Sequence, residues 1–561
     1  MLKLSSKLQN LADVIWHSRT GQYLLFALAT IVTISFNGYY FGTFDQAIHI
    51  SFIKKFADPS LFPHDPFLDL RFTHYSFFWF LFLPFYREGI LEITMFIIHI
   101  LMTYLTFLMI WRLSKVIFNN SLTSLLSIMA LILPHIGFGG FPVFEFSLLN
   151  RTFVLPFLLL AIEFFLKEKY LTAFMLLGLM YNIHVVSVNF VLFMFAFHLL
   201  RHLDRKNFHT LIKGLTIFII FALPVLIWKF SSSNIGLNPE SDWFRIISHG
   251  MLYNTFFIFT RISYLVLATV GGILVFMLFF ISRKNLKSGI HRIITDFMIA
   301  MMIVLVIEVI TAYWVPITII VESQIIRGSV FILLFGYLYF SNYVASSLQS
   351  KGKNLTGVYI MLVALITSLS PITLFGAWSL RGLLSPSRVK GIIALSFVIL
   401  GFFAMLWYSR STNVWSPEID IFPKHSAWYE AQLWAKNNTA KDALFITPPQ
   451  IWWLYDLDWR VVSERSTVST LSELLEVAFA PEYIPYWKSR FERIAPGAID
   501  QFSGDIIQDK KTTKKAFYSL SAAEFKQIGT EYNASFLVVE KPYYYSLPVA
   551  YQNEQFIIYS L

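Results

Sequence analysis

Asp45 is the residue whose setting most invites chemistry. It follows directly on a long apolar run, in Phe41-Gly42-Thr43-Phe44-Asp45-Gln46. A carboxylate at that depth can act as a partly desolvated base or metal ligand, or it can simply end a helix in water. Asp65, in His64-Asp65-Pro66-Phe67, reads either as a second acidic group or as a turn residue before proline. Glu145, Asn150 and Arg151 stand together at the head of another apolar run. A guanidinium there either snorkels to lipid headgroups or grips a phosphate through two parallel hydrogen bonds. His184, two residues after Asn182, ends a further run, where an imidazole either bonds a neighbouring helix or serves a substrate. The segment Glu322-Ser323-Gln324-Ile325-Ile326-Arg327 offers an ion pair across a loop or an anion clamp.

The elements that must hold these groups are membrane helices. Of 561 residues, 56% are hydrophobic, 58 are Phe and only 14% are charged, against about 25% charged in a soluble domain. Mean hydropathy is +0.60, and only a bilayer accepts so much apolar surface as solvent. The absence of Cys removes disulfides, thiolate nucleophiles and Cys-ligated metal sites. The formal net charge of +10 fits Lys and Arg held in cytoplasmic loops, not a nucleic-acid partner. There is no Gly-rich phosphate loop, no H-E-x-x-H and no G-x-S-x-G elbow, which argues against an ATP-driven pump and the familiar soluble hydrolases.

At about 20 residues per crossing, the apolar runs predict helices over 22–42, 89–111, 117–134, 152–166, 170–184, 185–200, 211–229, 262–281, 293–314, 328–347, 355–377 and 391–408. The first run is too long for a signal-peptide core and lacks a cleavage site. Lys3, Lys7 and Arg19 before it put the N-terminus in the cytoplasm. Basic clusters at Arg112 and Lys115, Lys167 and Lys169, Arg201 to Lys206, Arg283 to Arg292, and Lys351 and Lys353 fit one alternating path. On that path Asp45, Glu145, Arg151, His184, Glu322, Gln324 and Arg327 all lie at outer ends of spans. Arg381, Arg388 and Lys390 break the alternation, so one stretch among 77–85, 253–280 and 355–377 is miscounted. The expected total is about 11–13 crossings.

The chain thus divides into a polytopic all-α membrane domain, 1–410, with an outer loop over 42–75, and a small soluble α/β domain, 411–561. In the latter, strands are expected at Asp442–Thr447 (stopped by Pro448-Pro449), Phe536–Val539 and Gln555–Tyr559, with helices at Ala427–Lys436 and Ser521–Thr530.

This order of parts resembles the GT-C superfamily of polytopic membrane glycosyltransferases, and within it a bacterial branch with a Gln- and Arg-containing outer loop. The resemblance is carried by Phe44-Asp45-Gln46, by Asp58-Pro59 through Asp65-Pro66-Phe67, by Glu145 to Arg151 followed by Pro156, by Asn182-Ile183-His184, and by Gln324 with Arg327. Trp434 to Arg465 is similar to the extracytoplasmic domain of such enzymes, whereas Trp452-Trp453-Leu454-Tyr455-Asp456 matches an acceptor motif of oligosaccharyltransferases in composition alone. The resemblance implies transfer of a sugar from a polyprenyl-phosphate-linked donor to a glycan or lipid acceptor at the extracytoplasmic face of the cell membrane. It implies Asp45 as catalytic base, Arg151, His184, Gln324 and Arg327 on the donor phosphate, and Asp65, Glu145 and Glu322 as secondary acids on the acceptor side. The cofactor stays unknown: a divalent cation would want the paired acids common in these enzymes, and Gln46 follows Asp45 instead. Two other readings compete, a lipid or solute transporter whose charges mark a path and a non-catalytic member serving as an assembly partner.

Overall fold

The computed structural model describes residues 2–135, 142–231, 242–250, 262–313, 317–350, 355–367, 370–381, 388–411, 415–451, 455–477 and 479–561. Each apolar run read from the sequence contains a helix. Among the described residues, six helices are long and apolar enough to cross a bilayer: Arg19–Asn37, Leu91–Phe118, Arg205–Ser231, Gly289–Thr311, Ile320–Gln349 and Gly391–Ser411. Shorter apolar helices, among them Ser121–Leu131, Tyr170–Tyr181 and Val185–Arg201, pack between them. Close contact, more than apolar burial, holds such helices together in lipid. A Cβ on Gly178 would sit 2.5 Å from the Phe218 carbonyl oxygen, so only glycine lets Tyr170–Tyr181 lie against Arg205–Ser231.

The contacts separate two faces of the bundle. On one, Arg112 and Lys167 come from different basic loops and share the Glu163 carboxylate at 2.8 and 2.6 Å. Arg201 meets Asp296, four residues from Arg292, at 3.0 Å on the same pattern. On the opposite face the Tyr40 N–H donates to the Phe146 carbonyl at 2.9 Å and the Phe77 N–H to that of Asn182 at 2.8 Å. The chain over 77–85 does not cross. It forms a 3-10 turn, Trp79–Leu81, and a short helix, Leu83–Arg87.

The conflict in the alternation resolves at 355–377. This stretch is two helices, Leu355–Thr367 and Pro371–Leu380, broken where Ser370 caps the second and Pro371 opens it. Gly357 lies against the backbone of Arg381, and Gly391 against Thr356. The pair therefore runs antiparallel and returns the chain to its starting side, before Arg388–Ser411 carries it across. Arg381 lands on the side of the other basic loops, and the C-terminal region lands opposite.

That region is stapled to the end of the first long helix. Tyr39–Tyr40 pairs in parallel with Ile419–Asp420. Gly38, at φ +79°, makes this approach feasible, since a Cβ there would lie 2.8 Å from the Glu418 carbonyl oxygen. Beyond it stands a five-stranded mixed sheet in the order Ser466–Thr467, Leu444–Ile446, Phe536–Glu540, Phe556–Ser560, Val549–Gln552. The first three strands are parallel and the last two add an antiparallel hairpin. The expected strands and helices of this region are present. The two outer strands and the helices Ile484–Ile494 and Ile506–Phe517 are additions. So is an N-terminal helix, Leu2–His17, whose Gln9 donates to Ser121 Oγ at 3.1 Å.

Segment 42–75 is clamped beneath this sheet region by charge. Lys54 Nζ lies 2.7 Å from Glu464, Lys441 3.1 Å from Asp58, and Arg460 2.6 Å from Asp65.

Candidate active site

Asp45 occupies the first turn of the helix Phe44–Ala57, where the positive end of the helix dipole favours a carboxylate. Its neighbour Gln46 is fully buried and fixes the turn: Oε1 accepts from the Gly42 N–H at 2.8 Å, and Nε2 donates to the Leu148 carbonyl at 3.1 Å. That second bond docks the Asp45 turn on the Glu145–Arg151 block. Arg151 opens the helix Asn150–Leu166, a position the dipole makes unfavourable for a cation. Two carboxylates offset that cost. Arg151 Nη1 donates to Asp45 Oδ2 at 2.7 Å, Nη2 to Glu145 Oε2 at 2.7 Å, and Nε to Glu145 Oε1. All three side chains are nine-tenths buried or close to it.

His184 caps the helix Val185–Arg201, with Nδ1 accepting from the Ser187 N–H at 3.2 Å. A ring nitrogen that accepts carries no proton, so neutral His184 holds its proton on Nε2 as a donor. Arg327 ends the 3-10 turn Ile325–Gly328, after Gln324 in a left-handed conformation. The charges within reach of Arg327 are those of Arg151, Asp45, Glu145 and Glu476. His184 lies in the field of Arg327 and Arg151. Asp45, Glu145, Arg151, His184 and Arg327 thus form one buried cluster. Gln324 is fully buried beside it, and its amide nitrogen and oxygen have no hydrogen-bond partner among the described residues.

Three members of the neighbourhood escaped the sequence reading. His49 sits one turn after Asp45 on the same helix, edge-on to Trp79 with ring centroids 4.2 Å apart. Burial, aided by the nearby charges of Arg151 and Arg327, holds His49 well below the ordinary imidazole range, so it is neutral. Its i,i+4 spacing from Asp45 was a usable signal. His74 Nε2 meets Glu476 Oε2, and Glu476 comes from the short helix Leu474–Val477 of the C-terminal region. Nothing local in the sequence marks that pairing.

Other candidates lie elsewhere. Asp65 accepts from Arg460 Nε at 2.6 Å and Nη2 at 3.1 Å, and Arg460 also donates to Glu473 at 2.6 Å. This buried charge group binds the 42–75 segment to the sheet region, apart from Asp45. Glu322 is half-buried, and its charged neighbours are Lys229 and Glu482. Asn182 serves the scaffold: Nδ2 donates to the Phe221 carbonyl at 2.8 Å and Oδ1 accepts from the Val225 N–H at 3.1 Å, bridging the helix ladder at Pro224. Residues 452–454 of the Trp-Trp segment lie outside the described residues. A divalent cation does not fit between Asp45 and Glu145 as they are arranged, because the Arg151 guanidinium stands where a bridging ion would. An apolar groove of about 550 Å3 between Leu355–Thr367, Pro371–Leu380 and the last long helix, lined by Ile360, Thr373, Phe397 and Phe402, involves none of these groups.

Residues 426–494 match the model of a family described as a domain of unknown function (DUF6798). No curated protein matches the sequence. The crystal structure of ArnT from Cupriavidus metallidurans bound to undecaprenyl phosphate aligns with this chain at a TM-score of 0.50, over 97% of this chain and 98% of ArnT, with 11% sequence identity. The chain has the fold of ArnT. At that identity the likeness concerns the fold, and it extends over both the helical part and the C-terminal sheet region. Within that fold, the charged cluster stands where the helical bundle meets the C-terminal sheet region.

Proposed function

We propose that this chain is a membrane glycosyltransferase that moves a sugar from a polyprenyl-phosphate-linked donor to a glycan or lipid acceptor at the extracytoplasmic face. The observation that carries the reading is the convergence of Asp45, Arg151, His184 and Arg327, from four separate parts of the chain, in one buried cluster. The likeness to ArnT, whose structure holds undecaprenyl phosphate, supports a lipid-phosphate donor.

In this reading the acceptor hydroxyl oxygen bonds to the anomeric carbon of the donor sugar. The bond from that carbon to the phosphate oxygen breaks, and its electron pair leaves on the lipid phosphate. Asp45 takes the acceptor's proton. Arg327 pairs with the phosphate charge, and His184 donates from Nε2 to a phosphate oxygen as negative charge builds there. Gln324 adds a neutral amide to the same group. Arg151, held by two carboxylates, is a positioning residue that aims Asp45 instead of a phosphate ligand.

Asp45→Asn tests the scheme, since it keeps the size of the side chain and removes its ability to take a proton. New glycan linkages in membranes carrying this variant should form about 10²–10⁴-fold more slowly than with the wild type, with donor binding nearly unchanged. Product at the wild-type rate would end the case for Asp45 as base. A transporter would instead move an unmodified lipid and make no new linkage.

A further inference from the structure

A second cluster of metal-binding side chains lies at the far end of the helix that His184 caps. The Val185–Arg201 helix has 17 residues, so this cluster stands about 25 Å from His184 at 1.5 Å per residue. His198 and His202 lie one turn apart on that helix and its C-cap, and Asp296 faces them from the helix Gly289–Tyr313. His198 Nδ1 is 2.7 Å and His202 Nε2 2.8 Å from the same oxygen, Asp296 Oδ2. The three donor atoms lie within 4.8 Å of one another.

We propose that His198, His202 and Asp296 form a binding site for a borderline divalent transition ion of the zinc class, with water as the remaining ligand. Two imidazoles and a carboxylate are the ligand types such an ion takes, and i,i+4 histidines on a helix are a recurrent way of presenting them. Zinc–nitrogen and zinc–oxygen bonds of about 2.0–2.1 Å place tetrahedral ligand atoms about 3.3 Å apart. The two nitrogen–oxygen separations need to open by only about half an ångström to reach that spacing, and the two nitrogens already stand within 4.8 Å of each other. Each imidazole would present its lone pair by taking its other neutral tautomer. Arg201 Nη1 holds the second carboxylate oxygen, Oδ1, at 3.0 Å, which leaves Oδ2 as the single metal-facing oxygen. The site has a dry wall and a wet opening: Phe165 and Phe297 pack on His198, whereas the His202 side chain is 35% exposed. Arg201 and Arg292 add positive charge nearby, so micromolar affinity is expected in place of the far tighter binding of closed structural sites.

The test uses the full chain in detergent, carrying no histidine tag and stripped with chelator. Zn²⁺ is titrated against a chromophoric competitor and thermal unfolding is followed in parallel. The wild type should bind one ion per chain and unfold at a higher temperature when loaded. His202→Ala and Asp296→Asn should each weaken binding by at least about 10-fold and lose the thermal shift, while His209→Ala, at an exposed histidine outside the cluster, should behave as wild type. Unfolding in chelator reports whether each variant folds, and His202→Gln replaces the alanine variant if that one does not. Wild type that takes up no Zn²⁺ at about 100 µM, or folded variants that bind it as tightly as wild type, would overturn the site.

Discussion

Arg151 reaches across 106 residues of sequence to donate to Asp45 at 2.7 Å, while its other edge holds both oxygens of Glu145. The guanidinium is shared between two carboxylates in a largely buried place. Arg151→Ala would leave both unpaired and should cost about 3–5 kcal/mol of stability. Arg151→Lys keeps the charge but not the fork. That variant should fold and lose about 10–100-fold in turnover, because a misaimed base costs on that scale. Turnover equal to wild type in Arg151→Lys would show that Asp45 needs no such aiming.

Arg327 should report on the donor instead of the proton. Arg327→Ala is expected to weaken binding of polyprenyl phosphate by about 1.5–3 kcal/mol, the worth of a charge-assisted contact. Arg327→Lys should recover part of it. Equilibrium binding followed by tryptophan fluorescence measures this, and an unchanged Kd in the alanine variant would remove Arg327 from the donor site.

The Asp65–Arg460 pair should matter for assembly alone. Both side chains are almost fully buried, so Asp65→Asn or Arg460→Ala should lower stability by about 3–5 kcal/mol. Protein that remains folded should keep its donor affinity and acceptor KM. A raised acceptor KM at unaltered thermal stability would restore Asp65 to the acceptor side.

Asp509 should make the C-terminal region sensitive to pH. Burial raises its carboxyl from 3.8 to about 6 despite hydrogen bonds from Ser503. A folded-state pKa above the unfolded one means stability that is full below pH 3.8 and is lost as pH rises through 6. Asp509→Asn removes the charge that must be buried above that range. Thermal unfolding of the variant should vary less between pH 5 and pH 8 than that of wild type. Parallel curves for the two proteins would contradict this.

The basic loops predict an orientation that can be read directly. Reporter fusions after Arg112, Lys169, Arg205 and Lys287 should report cytoplasm, and fusions within Asp58–Asp69 or after Leu561 should report the outside. The contacts tie the last two regions together, through Lys54–Glu464 and Arg460–Asp65. Opposite signals from them would contradict the packing itself.

Much of the fold was legible because its determinants are local. About 20 apolar residues in a row have few alternatives in lipid, and the strands at Leu444–Ile446 and Phe536–Glu540 announce themselves as short buried runs ended by turn residues. The break at Ser370-Pro371 was legible too, but not its consequence. Only the contacts of Gly357 with Arg381 and of Gly391 with Thr356 reveal a hairpin that reverses the side of everything after it. The part played by Asn182 was hidden for the opposite reason. A polar residue in a membrane helix has two uses, and the one it serves here, mending the ladder at Pro224, depends on a helix 39 residues away.

Residue types and spacing marked out a polytopic membrane chain, set Asp45, Glu145, Arg151, His184 and Arg327 at the ends of apolar runs, and set an α/β region after Arg410, since hydropathy and turn chemistry act over a few residues. Tertiary structure decided who meets whom. It gave Arg151 to Asp45 and Glu145, withdrew Asp65 to Arg460, and brought Glu476 from the C-terminal region to His74. Charge pairing inside a protein falls off over a few ångströms and takes no account of distance along the chain, so the partners of a buried ion are set by packing alone.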